Sequence, residues 1–224
     1  ESMTDPSYSG QILVMTYPLV GNYGVPGDGT SDGLSLNFES DRIHVRGLVV
    51  ADVCHEPSHW NCARSLPEWM DEQGIPGLSG VDTRALTVKL REKGTMRGRL
   101  VPGGAGDDDG TFGGPVNDPN ADTSGLVPGV SVREPVLYER GKTRVVLVDC
   151  GVKHSIIRSF LRRDISVLRV PWDHDPTSEE ADGIVLSNGP GDPMNCSATV
   201  ENARKALEMG RPILGICLGS QILG

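Results

Sequence analysis

From residue 143 onward, short apolar runs alternate with segments whose apolar positions recur every three or four residues. TRVVLVDCG (143–151) reads as a short buried strand, and HSIIRSFLRRD (154–164) as an amphipathic helix with Ile156, Ile157, Phe160 and Leu161 along one side. SVLRVP (166–171) reads as a second strand. ADGIVLSNGPGDP (181–193) is a strand running into a glycine loop, TVENARKALEMG (199–210) a helix, and PILGI (212–216) a strand that delivers Cys217. This alternation predicts a parallel sheet with helices on both faces. Ligands of such sheets sit at the carboxyl ends of strands. Both NGPGDP and GICLG fall at such ends.

Before residue 140 the pattern is less regular. RIHVRGLVVADV (42–53) reads as a strand pair or one long strand. VDTRALTVKLREKG (81–94) carries Leu86 and Leu90 at helical spacing, has Asp82 or Thr83 as N-cap, and stops at Gly94. The stretch 101–129 is rich in Gly, Asp and Pro and can bury little, so it reads as a loop or insertion. The expected organisation is a smaller α+β domain, 1–138, with the Gly/Asp-rich loop at about 102–125, followed by an α/β domain, 143–224.

Composition narrows the function classes. A chain of 224 residues with 37% apolar content can fill a core. The formal charge of −9 and a pI near 5.0 argue against a nucleic-acid or acidic-membrane surface, because phosphate binding needs clustered Lys and Arg. No apolar run approaches the ~20 residues needed to cross a bilayer. The opening ESMTDPSYSG has no basic region followed by an apolar core, and reads as a chain that begins inside a domain. Five cysteines at irregular spacing favour free thiols and a reducing cytosol. CHEPSHWNC (54–62) gathers Cys54, His55, His59 and Cys62, yet adjacent Cys54 and His55 point apart on an extended backbone and the spacing fits no zinc pattern. It reads as a surface loop, and no metal is expected.

Gly215-Ile216-Cys217-Leu218-Gly219 has the form of a nucleophile elbow with Cys in place of Ser. Such a turn holds its nucleophile in a strained conformation, and glycines two positions away on either side remove the Cβ atoms that would clash. The thiol is then exposed at a helix N-terminus, where thiolate is favoured, and the amide of Leu218 is placed to donate to an oxyanion. The alternative is a structural cysteine in a buried strand. In Ser187-Asn188-Gly189-Pro190-Gly191-Asp192-Pro193, two glycines let backbone amides approach a ligand while the prolines stiffen the turn, which suits a second oxyanion donor; alone it would be an ordinary turn.

The order SNGPGDP, helix, strand, GICLGSQ resembles the class I glutamine amidotransferases. TDPSYSGQILVMTYPLVGNYGV (4–25) and VDTRALTVKLREKG resemble the small subunit of carbamoyl phosphate synthetase, and the match runs over nearly the whole chain in order. The resemblance implies a flavodoxin-like amidotransferase domain and a glutaminase half-reaction in the cytoplasm. Cys217 would be the catalytic nucleophile that attacks the side-chain amide of glutamine. Leu218, Gly189 and Gly191 would serve glutamine binding and the oxyanion site, Gln221 would contact the substrate, and Ser7 would reach it from the first domain. Ammonia would pass to a large synthetase subunit that uses bicarbonate and ATP to make carbamoyl phosphate for arginine and pyrimidine synthesis. No cofactor is expected here, with ATP and metal on the large subunit; the only Gly-Lys-Thr, at 141–143, has Val136 where a phosphate loop needs Gly.

The family's thiol works with a His and a Glu from later parts of the domain. The five histidines, at 44, 55, 59, 154 and 174, all precede Cys217 and none lies in that context, so the chain reads as a fragment lacking both ends and inactive by itself. Ser220 is a further departure, where the family often carries His. A partner-binding subunit without catalysis is the alternative function. A different cysteine hydrolase on the same elbow is a third, which leaves TDPSYS unexplained.

Overall fold

The computed structural model describes residues 1–101 and 125–224. The Gly/Asp-rich loop expected at about 102–125 lies outside the described residues except for Gly125. The described residues form two compact units, one of residues 1–9, 28–44 and 125–224, the other of residues 10–27 and 45–101.

The first unit is built on a five-stranded sheet. Its strands and helices are β1 (Val136–Tyr138), β2 (Thr143–Asp149), α1 (His154–Leu161), β3 (Ile165–Pro171), β4 (Gly183–Leu186), α2 (Ser197–Glu208), β5 (Ile213–Gly215) and α3 (Leu218–Leu223). The order across the sheet is β5-β4-β2-β3-β1, with the first four parallel and β1 antiparallel at the edge. Successive side chains of a strand point to opposite faces, and both faces are covered. Leu147, Val167 and Val185 pack with Ile157 and Leu161 of α1. Val146, Val148, Val170, Ile184 and Leu186 pack with Ala203 and Ala206 of α2 and with Leu218 and Ile222 of α3. The expected α/β class is therefore the observed one.

Two details depart from the sequence reading. The antiparallel β1 is three residues long with Val136 and Leu137 exposed, so no burial pattern announces it. Both helices stop before the ends of the segments read from sequence, at Leu161 and Glu208 and not at Asp164 and Gly210, where the chain turns into the left-handed region (φ 57 and 67).

The segment 28–44 completes this unit by closing the start of α1. Lys153, the N-cap residue, makes no side-chain cap. Instead Glu39 accepts from the His154 N–H through its carbonyl (2.9 Å) and from the Ser155 N–H through its carboxylate (2.9 Å). An acid at a helix N-terminus also meets the favourable end of the dipole.

In the second unit, Ile12–Val14, Gly47–Val49 and Gly77–Leu78 form a parallel sheet, and Leu19–Val20 pairs with Asp52–Val53. The segment 42–53 thus supplies two short strands to two sheets. The helix Leu66–Glu72 starts with a capping box between Ser65 and Glu68. The helix Thr83–Lys93 starts at Asp82, whose carboxylate accepts from the Ala85 N–H, and ends at Gly94 (φ 77), as its sequence predicts.

Candidate active site

β2 is flanked by β3 on one side and β4 on the other, so the winding reverses between the carboxyl ends of β2 and β4, where open α/β sheets bind ligands. Three loops meet there: Cys150-Gly151-Val152 after β2, the glycine loop after β4, and the Cys217 turn after β5.

Cys217 has φ 51 and ψ −107, a conformation that costs a non-glycine residue about 1–3 kcal/mol. Its neighbours permit it only by lacking side chains. A Cβ on Gly215 would lie 2.6 Å from the carbonyl of Gly219, and one on Gly219 would lie 2.2 Å from the carbonyl oxygen of Leu186. The turn is closed by hydrogen bonds from Ser220 Oγ to the Gly215 carbonyl (2.7 Å) and from the Ser220 and Gln221 N–H groups to the Cys217 carbonyl (2.9 and 3.1 Å). The Gly219 N–H donates to the carbonyls of Ser187 (3.1 Å) and Ile216 (3.0 Å). The Leu218 N–H meets no backbone acceptor among the described residues. The Cys217 thiol and Gln221 are exposed, and the Leu218 side chain is buried.

The glycine loop lies against this turn. A Cβ on Gly189 would fall 2.1 Å from the Cys150 carbonyl oxygen and 2.9 Å from Leu218 Cδ2, so only glycine fits between the two neighbours. Gly191, two residues on, has φ 84. Ser187 Oγ accepts from the Cys150 N–H (2.9 Å) and donates to the Asn188 carbonyl (2.8 Å). Asn188 is buried, and its Nδ2 donates to Ser7 Oγ and to the Gly151 carbonyl, both at 2.9 Å. Ser7 sits on a single 3-10 turn, Pro6–Tyr8, whose N-cap Asp5 accepts from the Ser7 N–H at 2.9 Å. Four of the residues singled out from sequence are therefore linked: Gly189 to Leu218 and the Cys217 turn directly, and Ser7 to the same loop through Asn188.

Asn188 and the ion pair below this site had no sequence signal beyond turn chemistry. Asp149, with no exposed surface, accepts from the N–H groups of Gly151 (2.9 Å), Val152 (2.8 Å) and Val132 (2.8 Å). It also accepts from Arg169 through Nε (2.9 Å) and a terminal nitrogen (2.7 Å). Five donors on one carboxylate fix the turn after β2.

The imidazoles of His154, His174 and His59 are engaged elsewhere. His154 Nδ1 accepts from the Ser35 N–H (3.2 Å), and burial pushes its pKa down. His174 Nε2 lies 2.9 Å from Glu179. Burial, helped by Arg42, lowers His44 to about 4. No hydrogen bond or ion pair joins Cys217 to a histidine among the described residues. Burial first, then Cys196 and Asp149, raises the Cys150 thiol to about 12, and burial also raises Cys196. In the segment 54–62, His59 Nδ1 accepts from the Asn61 N–H (3.2 Å), its ring stands edge-on to Tyr23 with centroids 5.2 Å apart, and Cys62 donates to the Arg64 carbonyl (3.4 Å). Among the described residues no group of three or more His, Cys, Asp or Glu is placed to hold a metal, and no helix is long and apolar enough to cross a membrane.

A parallel sheet with a cysteine elbow beside a glycine loop defines a class, and residues 146–224 match the family described as glutamine amidotransferase class-I. Residues 1–100 match the carbamoyl-phosphate synthase small chain, CPSase domain. Over these two segments the chain is similar to carbamoyl-phosphate synthase small chains and to class I glutamine amidotransferases. Over its whole length it is 49% identical to the multifunctional protein CAD of Squalus acanthias, of which it spans 10%. It is 46% identical to the arginine-specific small chain of Neurospora crassa and 44% identical to that of Saccharomyces cerevisiae, spanning 50% and 55% of them. The chain thus spans about half the length of the small chains it matches.

Proposed function

We propose that this chain carries the nucleophile and part of the glutamine site of a glutaminase that feeds ammonia to a synthetase. The observation that carries the reading is the strained Cys217 turn, with its exposed thiol next to the open Leu218 N–H and in contact with the Gly189 loop. The Cys217 thiolate attacks the side-chain amide carbon of glutamine. The developing oxyanion is met by the Leu218 N–H and by amides of the Gly189–Gly191 loop, with Ser7 and Gln221 on the substrate. The C–N bond breaks, the nitrogen leaves as ammonia after gaining a proton, and water then cleaves the glutamyl thioester to glutamate and free thiol. The proton transfers need a base, a role to which His154 and His174 are ill suited because they are held by Ser35 and Glu179.

The names of the relatives support the destination of the ammonia. A large synthetase subunit or fused domain, holding ATP and any metal, would join it with bicarbonate to form carbamoyl phosphate in the cytoplasm, for arginine or pyrimidine synthesis. The test is glutamate release from glutamine by the natural full-length protein with its partner. Activity that Cys217→Ala abolishes is expected. A natural protein that releases no glutamate would leave a partner-binding role without catalysis.

A further inference from the structure

Four groups converge on the buried side chain of Asn188. Asn188 Nδ2 donates to Ser7 Oγ (2.9 Å) and to the Gly151 carbonyl (2.9 Å), and lies 3.5 Å from Asp5 Oδ1. Its Oδ1 accepts from the Lys153 N–H (3.2 Å) at the start of α1. One amide thereby ties the Pro6–Tyr8 turn, the loop after β2, the start of α1 and the glycine loop together. Gly151, with φ 121, lies at the same junction. A Cβ there would stand 3.1 Å from Pro190 Cδ and 3.2 Å from Pro6 Cβ, so the N-terminal turn and the glycine loop close over a backbone without a side chain. Only an amide offers both a donor and an acceptor at this spot; a carboxylate would face the Gly151 carbonyl with no proton to share.

We infer that Asn188 is a positioning residue for glutamine: it holds Ser7 against the Gly189–Gly191 loop and so sets substrate affinity, while the thiol chemistry at Cys217 proceeds without it. The inference rests on the glutaminase reading. A group that only orders a binding surface changes KM, whereas one used in the transition state lowers kcat. The Cys217 turn is held by its own bonds to Gly215, Ser187 and Leu186, none of which involves the Asn188 side chain.

The test uses the natural full-length protein with its partner and compares wild type, Ser7→Ala, Asn188→Ala and the double variant. Asn188→Ala is expected to raise KM for glutamine about tenfold with kcat lowered no more than about threefold. The double variant should be no worse than the more affected single variant, because one contact is removed twice. The rate of Cys217 alkylation by iodoacetamide should stay within about twofold of wild type. If Asn188→Ala does not fold, Asn188→Asp keeps the acceptor for Lys153 but loses the donors, and should show the same rise in KM. An unchanged KM, additive effects of the two substitutions, or parallel losses of kcat and alkylation would overturn the inference. If wild type itself hydrolyses no glutamine, it is the glutaminase reading that fails.

Discussion

Gly215 and Gly219 face each other across the turn that presents Cys217, so closely that a methyl group on Gly215 would lie 2.6 Å from the Gly219 carbonyl. Backbone on backbone cannot yield as a side chain can. Gly219→Ala, whose Cβ would fall 2.2 Å from the Leu186 carbonyl oxygen, should destabilise by roughly 3 kcal/mol and remove glutamine hydrolysis. Urea unfolding and glutamate release measured together would check this.

The strain at Cys217 makes a prediction of opposite sign. Glycine adopts φ 51 without penalty, and the exposed thiol gives up little packing. Relief of strain should outweigh the entropy of an added glycine, so Cys217→Gly should be more stable than wild type by about 1 kcal/mol while inactive. A melting temperature at or below that of wild type would show that the turn stores no strain.

The Asp149–Arg169 pair supports the loop after β2 from below. Arg169→Met leaves a fully buried carboxylate with backbone donors alone, and should cost about 3 kcal/mol. Thermal unfolding of the variant measures this directly.

Stability should fall on mild acidification. His44 titrates near 4 in the folded protein against 6.5 as its ordinary value, so the unfolded chain binds more protons between those limits. Its contribution is intact above pH 6.5 and is lost as the pH drops toward 4. Screening at a half-buried site limits the loss to about 1–2 kcal/mol. Burial acts on His154 in the same direction. His44→Gln should flatten the urea midpoint between pH 6.5 and 4.

The sheet was legible because burial on both faces writes long apolar strands such as VVLV at 145–148, and the elbow because its glycines stand at fixed distances from Cys217. The partners of Asn188 were not. Ser7 lies 181 residues away, and an Asn before Gly reads locally as a turn residue. For the same reason nothing in residues 28–44 announced that Glu39 closes the start of α1, 116 residues on. Side chains that bridge distant segments leave no period in a sequence. The antiparallel edge strand β1 was hidden by its brevity.

Trapping the glutamyl intermediate tests the role of Cys217 most directly. The natural full-length protein, with its partner, is mixed with radiolabelled glutamine, quenched in acid and digested. One glutamyl group is expected, bound as a thioester to the peptide containing Cys217, absent from Cys217→Ser, with no label on Cys54, Cys62, Cys150 or Cys196. Glutamine turnover with no acid-stable label on Cys217, or turnover that survives its replacement, would contradict that role.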